Sequence, residues 1–350
     1  MESRFTKQSP GLLERRPNVS QTVRASDWWE FKLAPIFATI YATAFILNLS
    51  ITSLWPLLLL ALIALVPGAA YVSVINDLTD LEDDVASGKN NQLFGKSKTF
   101  IMLAIVCCIL PGVAVALYWR NDPLLLSLYL AAWVAFSVYS IPPIRLKARG
   151  VLGLIADASG AHLFPTLLVI SLVHRWVAAP IDLVWFSSVA VWSLGYGLRG
   201  NLWHQLTDLQ SDQLAGIKTF AQRHTIAWLH GLGNFIIFPL EIVAFSIMLW
   251  RAGSRLAIVF LCCYAILEWF RKRMWKMNLV ITRPQPRYSI LMLEYYEIFF
   301  PLAVLMSSSW QHPLDLPVVV AHVLIFPTRA AQVIKDIIKL AKQVIFKFMK

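Results

Sequence analysis

The stretch NDLTDLEDD, residues 76–84, decides how this chain is read. It closes a long apolar run, and five of its nine residues are acids: Asp77, Asp80, Glu82, Asp83 and Asp84. The whole chain has only 20 Asp and Glu, so a quarter of them stand here. A plain stop for a membrane helix does not account for them. At a helix C-terminus the backbone dipole favours Lys or Arg and disfavours carboxylates. If the helix continues, Asn76, Asp80 and Asp84 recur every four residues, and Asp77 joins them at a spacing of three. That spacing sets them on one face. A second acidic stretch, HQLTDLQSD at 204–212, places Asp208 and Asp212 four apart. Carboxylates gathered in this way repel one another unless a cation sits between them. Hard divalent cations take oxygen ligands, and Mg²⁺ is commonly shared between a few carboxylates and substrate phosphates. The acids therefore point to Mg²⁺ and a phosphorylated ligand.

Outward from these stretches, the chain is 58% hydrophobic and 15% charged, with a mean hydropathy of +0.62. Soluble domains run near 45–50% apolar, with about a quarter charged. Apolar windows of roughly 20 residues, long enough to span a bilayer as helix, recur at 32–49, 53–76, 100–119, 123–140, 152–173, 182–203, 226–250, 256–270 and 290–309. The expectation is an all-α integral membrane protein with about nine transmembrane helices. A polar, basic N-terminal segment (1–31) precedes the transmembrane domain (32–310). A short apolar segment and a basic amphipathic helix follow it (311–350), and the helix reads as lying at the membrane interface. The polar first 30 residues show no cleavable signal peptide.

Lys and Arg set orientation. Counted with the ends of their flanking spans, 21 of the 31 lie before span one and after spans two, four, six and eight. The opposite loops hold four, Arg120, Arg175, Arg251 and Arg255, and the tail holds six. The N-terminus and both acidic stretches thus belong on the cytoplasmic side. Nine spans leave the basic tail on the wrong face, and a tenth segment or a re-entrant dip is needed to return it. The net charge of +11 is accounted for by topology, with no nucleic-acid partner. Cys107, Cys108, Cys262 and Cys263 sit as neighbours in apolar spans, without metal-ligand spacing. The acidic stretch lacks the EF-hand ligand pattern.

An internal echo accompanies the acids. Asp80, Asp84 and Gly88 recur as Asp208, Asp212 and Gly216, each offset by 128 residues. Spans one to four and five to eight can thus be copies of one four-helix unit, an arrangement that places sites at the repeat interface. Basic residues stand on the same face: Arg145, Lys147 and Arg149 in YSIPPIRLKARG (139–150), and Lys218 in AGIKT (215–219). Alone they read as ordinary positive-inside charge. Beside two acidic stretches they read as partners for phosphate.

These motifs together resemble the UbiA superfamily of intramembrane prenyltransferases. That family carries NDxxDxxxD after its second helix, here Asn76, Asp77, Asp80 and Asp84. It carries a second DxxxD after the sixth helix, here Asp208 and Asp212, followed by Gly216, Lys218 and Thr219. The YSxPPxRLKxRG-like stretch between them matches Tyr139 to Gly150. The resemblance implies a ring of nine helices around a central cavity open sideways to lipid. It implies that Asn76, Asp80, Asp84, Asp208 and Asp212 hold Mg²⁺ against an isoprenyl diphosphate, with Asp77 assisting. Arg145, Lys147 and Lys218 would contact the diphosphate. The four motif aspartates of the two segments, with Lys147 and Lys218, would carry the catalysis. The acceptor is expected to be aromatic, as in quinone or related lipid biosynthesis. A sugar phosphate acceptor or terpene cyclisation stands as the alternative within the family. The rival from another class is a cation-coupled transporter, whose acids belong near the bilayer midplane in broken helices.

Glu294 and Glu297, in LEYYE (293–297), lie three apart within span nine. They read equally as acceptor-orienting groups and as ion-pair partners. Asp157, Glu241 and Glu268 are similar but less grouped. Asn201 and His204 precede Asp208 by about two helical turns and one, so they can face the cavity. His162 reads as a core polar group, and Trp28 and Trp29 as a surface anchor.

Overall fold

The computed structural model describes residues 19–214, 216 and 218–348. Every predicted span is helical over most of its length, the ninth starting only after the strand Tyr288–Ile290. Helix α1 is Ala34–Ile46 and α2 is Trp55–Thr79. The first acidic stretch ends α2 and continues as the short α3, Leu81–Ser87. Then come α4 (Lys98–Tyr118), α5 (Pro123–Ser140), α6 (Val151–Trp176) and α7 (Leu183–Thr207). The second acidic stretch forms the end of α7 and the short α8, Leu209–Leu214. Helices α9 (Ile226–Ala252), α10 (Arg255–Trp275) and α11 (Phe300–Gln311) follow. The chain ends in α12 (Leu316–Ile325) and α13 (Pro327–Phe348). The only strands among the described residues are Asn278–Val280 and Tyr288–Ile290, which pair in parallel.

Five helices are long and apolar enough to cross a bilayer by length and composition alone, or six if the bent pair at the C-terminus counts as one. Of the remaining helices, α1, α11 and α12 are too short, with 13, 12 and 10 residues, and α7 and α10 spend side chains on polar work. Helix α7 carries Arg199, Asn201 and Gln205, and α10 carries Glu268 and Arg271, all of them buried. The eighth span accordingly runs to Trp275 instead of stopping at 270. Its last turns are charged yet remain helical: Glu268 and Arg271 pair inside the protein, and Lys272 and Arg273 are exposed. Large apolar side chains face outward, Phe235, Leu183 and Trp250 among them. Such a surface suits lipid and not water.

The 128-residue echo is structural. Trp55–Thr79 and Leu183–Thr207 are both 25-residue helices at that offset, and both break at an aspartate, Asp80 or Asp208. In each, the amide of that aspartate returns to the carbonyl four residues back, on Asn76 or His204, at 3.0 and 2.9 Å. Both short acidic helices are followed by a glycine in left-handed backbone, Gly88 (φ +72) and Gly216 (φ +68). Glycine takes that conformation without a Cβ clash.

Four helical segments contain one widened turn: Trp29–Leu33, Ser159–Leu163, Gly233–Ile237 and Tyr295–Phe299. A proline stands two residues after each: Pro35, Pro165, Pro239 and Pro301. Proline lacks an amide hydrogen, and its ring crowds the carbonyl four residues back. Widening the turn moves that carbonyl aside. Phe31, four before Pro35, uses its freed carbonyl to accept from the Tyr196 hydroxyl at 3.0 Å.

The C-terminal region settles where the tail sits. Asp315 accepts from Ser50 Oγ and from the amides of Ile51 and Thr52, at 2.7–3.0 Å, at the far end of α1. Midway, the Tyr41 hydroxyl and His322 Nδ1 share a 3.2 Å hydrogen bond. At the near end, the amides of Thr328 and Arg329 donate to Glu30, both at 2.8 Å. Helix α12 therefore runs back beside α1 and delivers α13 to the end from which α1 began. Arg329, Lys335, Lys339 and Lys342 then join the other basic loops on one face, which resolves the charge conflict that nine spans leave for these residues.

Candidate active site

A cavity of about 1620 Å³ opens among these helices. Its lining includes Asn76, Asp77, Asp80, Asp84, Lys147, Asp208 and Asp212. Two acidic helix ends, 128 residues apart in sequence, are thus brought to one space. Deeper positions belong to α5, α6 and α7, including Tyr129, Phe136, His162 and Tyr196.

The acids are held in a lattice of basic partners. Lys147 pairs with Asp80, and Arg145 donates to Asp80 at 2.9 Å and Asp83 at 2.6 Å. Lys89, just after the first acidic helix, reaches the second and bonds Asp212 at 2.9 Å. Asn91 donates to the Asp77 carbonyl at 2.7 Å and to Asp84 at 2.9 Å. Asn76 accepts from Ser140 at 2.7 Å, and Asp77 pairs with Arg24 at 3.3 Å. Arg145 holds its place with φ at +37, a left-handed backbone that is costly for a side chain larger than glycine.

The loop charges are perturbed in opposite directions. Burial lowers the Lys147 pKa, and the nearby Arg145 charge adds to that, against the pull of Asp80. Burial raises the Asp212 carboxyl, with Asp208 and Asp80 adding repulsion and Lys89 opposing. For Lys89, burial alone works downward, but the bond and charge of Asp212 outweigh it and the net shift is upward.

Among the described residues no three His, Cys, Asp or Glu side chains converge as a ready-made metal cage. The donor set nonetheless fits Mg²⁺. It consists of hard carboxylate and amide oxygens, and Mg²⁺ is typically bound through one or two carboxylates plus phosphate and water. The ammonium and guanidinium partners here occupy the positions of positive charge that such a complex supplies.

Four residues sit differently from the sequence expectation. Lys218 is exposed and is not part of the cavity wall, and Arg145 acts on the acids without lining the cavity itself. His162 lines the cavity against the edge of Tyr196, instead of sitting satisfied in the core. Trp28 is buried and also lines the cavity, so it is no surface anchor. Glu294 and Glu268 both accept from Arg271 at 2.6 Å, and Glu297 lies 3.2 Å from Arg329. Glu241 accepts two hydrogen bonds from Arg199, each 2.7 Å. These acids belong to ion pairs.

Sequence reasoning missed Lys89 and Asn91, counting the one as topology charge and passing over the other. Their position in GKNN (88–91), directly behind the acids, is the available signal. It also missed how Asp157 is held. Asp157 accepts from Asn201 at 2.7 Å, Asn201 from Gln205 at 2.6 Å, and Gln205 from the Ala221 amide at 2.9 Å. The chain of bonds orients a carboxylate on the cavity wall.

Fold and site define a helical membrane protein whose central cavity has an acid-lined mouth. The architecture is that of UbiA homologues. The chain is similar to the UbiA homologue from Archaeoglobus fulgidus solved bound to GPP and Mg²⁺, with TM-score 0.54 and 16% identity over 84% of this chain and 98% of that one. The same homologue bound to DMAPP and Mg²⁺ matches with TM-score 0.54 and 17% identity, over 85% and 99%. Its Cd²⁺-bound form gives TM-score 0.55 and 17% identity, over 83% and 98%. No protein-family model and no curated protein matches the sequence.

Proposed function

We propose that this protein transfers an isoprenyl group from an isoprenyl diphosphate to an acceptor, in a Mg²⁺-dependent reaction. The observation that carries the reading is the meeting of Asp80, Asp84, Asp208 and Asp212, with Lys147, at one cavity. The fold shared with a homologue solved with GPP and Mg²⁺ supports it. Asn76, Asp80 and Asp84 from one segment, and Asp208 and Asp212 from the other, would hold Mg²⁺, with Asp77 steadying the first segment. Bound there, Mg²⁺ would neutralise charge on the diphosphate leaving group.

The chain's own residues do the rest. Lys147 and Lys89 now pair with Asp80 and Asp212. With Mg²⁺ held by the acids, these ammonium groups would be free to face phosphate oxygens. Arg145, bonded to Asp80 and Asp83, can do the same, and Lys218, exposed beside the second acidic segment, would be a further contact to the diphosphate. Departure of the diphosphate leaves an allylic cation on the apolar tail. Tyr129, Phe136 and Tyr196 line the space where that tail would lie. Their ring faces attract cations, and the apolar wall keeps water away.

The preferred acceptor is aromatic, as in the making of quinones or related lipids. Attack by its ring carbon on the allylic carbon must be followed by loss of a ring proton. Asp157, fixed by Asn201, is a carboxylate on the same wall able to take it. The N-terminus and the acidic loops are assigned to the cytoplasmic side. A transporter would place its acids in broken helices at mid-membrane, whereas these acids stand at the C-terminal ends of α2 and α7.

The test is binding of geranyl and farnesyl diphosphate to the purified protein, with Mg²⁺ and then with EDTA. Binding that depends on Mg²⁺ is the expected result, followed by product detection against a panel of phenolic acceptors. Absence of binding at either chain length would remove this reading.

A further inference from the structure

The helix α13 has three distinct sides. Toward the protein it buries Val333 and Leu340, bonds Asp336 to Arg271 at 2.6 Å, and accepts from Trp275 through Gln343 at 2.8 Å. Arg329, Gln332 and Asp336 line the cavity. A second side is an exposed stripe of Ile334, Ile337, Ile338 and Ile345, spaced by three, one and seven, which places them together on a helix. Beside that stripe, exposed Lys335, Lys339 and Lys342 recur at spacings of four and three.

The axis adds an independent constraint. The segment Pro313–Ile325 runs along α1, and Pro327–Phe346 turns from it by 89°. A helix perpendicular to the crossing helices lies in the plane of the bilayer. Its start is fixed by Glu30, in the turn that leads into α1, on the face that carries most of the basic residues. An in-plane helix with an apolar stripe edged by lysines matches the boundary between acyl chains and headgroups.

We propose that α13 binds the anionic headgroups of the bilayer surface through Lys335, Lys339 and Lys342, with its isoleucine stripe sunk in the acyl layer. The same contact presses Arg329, Gln332 and Asp336 into place as one wall of the cavity. The occupant is lipid because only a lipid surface offers an apolar layer and a negative layer side by side along about 30 Å of helix. The proposal stands apart from the reaction assigned above, since it rests on the fold and the charge pattern of one helix.

Hydrogen exchange of the full chain tests it, in nanodiscs of phosphatidylcholine alone and of phosphatidylcholine mixed with phosphatidylglycerol. Each lysine near an anionic surface is worth about fivefold in affinity. Amides of α13 should exchange at least about fivefold more slowly in the anionic discs, and high salt should erase the difference. The variant K335E/K342E changes only exposed side chains and should melt with the wild type in detergent while losing the lipid effect. Equal exchange in both discs, or a lipid effect that survives K335E/K342E, would overturn the proposal. Protection found only in native membranes, and in neither disc, would also overturn it by assigning the stripe to a protein partner.

Discussion

Asp80 and Asp208 break their helices in the same way at equivalent positions, so their loss should have equivalent consequences. Asp80→Ala and Asp208→Ala should each lower Mg²⁺-dependent turnover by about 100-fold or more, while the protein still folds in detergent. Normal turnover in either variant would sink the site assignment. Asp212 offers a test with a sign. Its pKa is raised, first by burial and then by neighbouring carboxylates. A raised carboxyl pKa means that the ionised form costs stability, and that the cost fades as pH falls through the raised folded pKa and is gone below the ordinary aspartate value, about 4. Asp212→Asn should therefore melt no lower than wild type at neutral pH without Mg²⁺, and any advantage should vanish under acid. The same variant should bind geranyl diphosphate with Mg²⁺ at least about tenfold more weakly. The identity of these acids was legible because carboxylates in an apolar chain stand out. Their partners Lys89 and Asn91 were not, because a lone lysine at a membrane exit looks like every other topology charge.

At the scale of elements, two devices hold the cavity walls. Arg199 on α7 and Glu241 on α9 form a two-bond pair in which both side chains are at most 2% exposed. Removing one partner of such a pair leaves a buried charge. Glu241→Ala should cost about 3–5 kcal/mol, read as a lowered melting temperature, whereas replacing both residues by apolar ones of similar size should restore much of it. Gly197 lets α7 approach α6. A Cβ there would stand 3.0 Å from the Ala158 Cα and 2.9 Å from the His162 ring. Gly197→Ala should cost about 1–3 kcal/mol and disturb the cavity wall at His162, checked by thermal melting and by diphosphate affinity. The helices themselves could be read from apolar runs. The widened turns could not be placed from hydrophobicity, although the prolines two residues later mark all four.

For the whole molecule, the decisive feature is the return of α12 beside α1. It predicts that the first described residues, from Val19, and the helix α13 share one side of the membrane. Protease sites or impermeant labels placed at each end should be reached together from one side of sealed vesicles, and opposite accessibility would refute the return. The sequence by itself determined the apolar character, the helical spans, the two acidic segments and their 128-residue relation. Those properties are written in local composition and spacing, which helix geometry converts directly into faces. Only the tertiary structure decided that the two acidic ends share one cavity, that Lys89 bridges them, and that Trp28 and His162 line it. It alone decided that the tail turns back to close a wall, because contacts between residues hundreds of positions apart depend on how helices pack and not on any pattern within them.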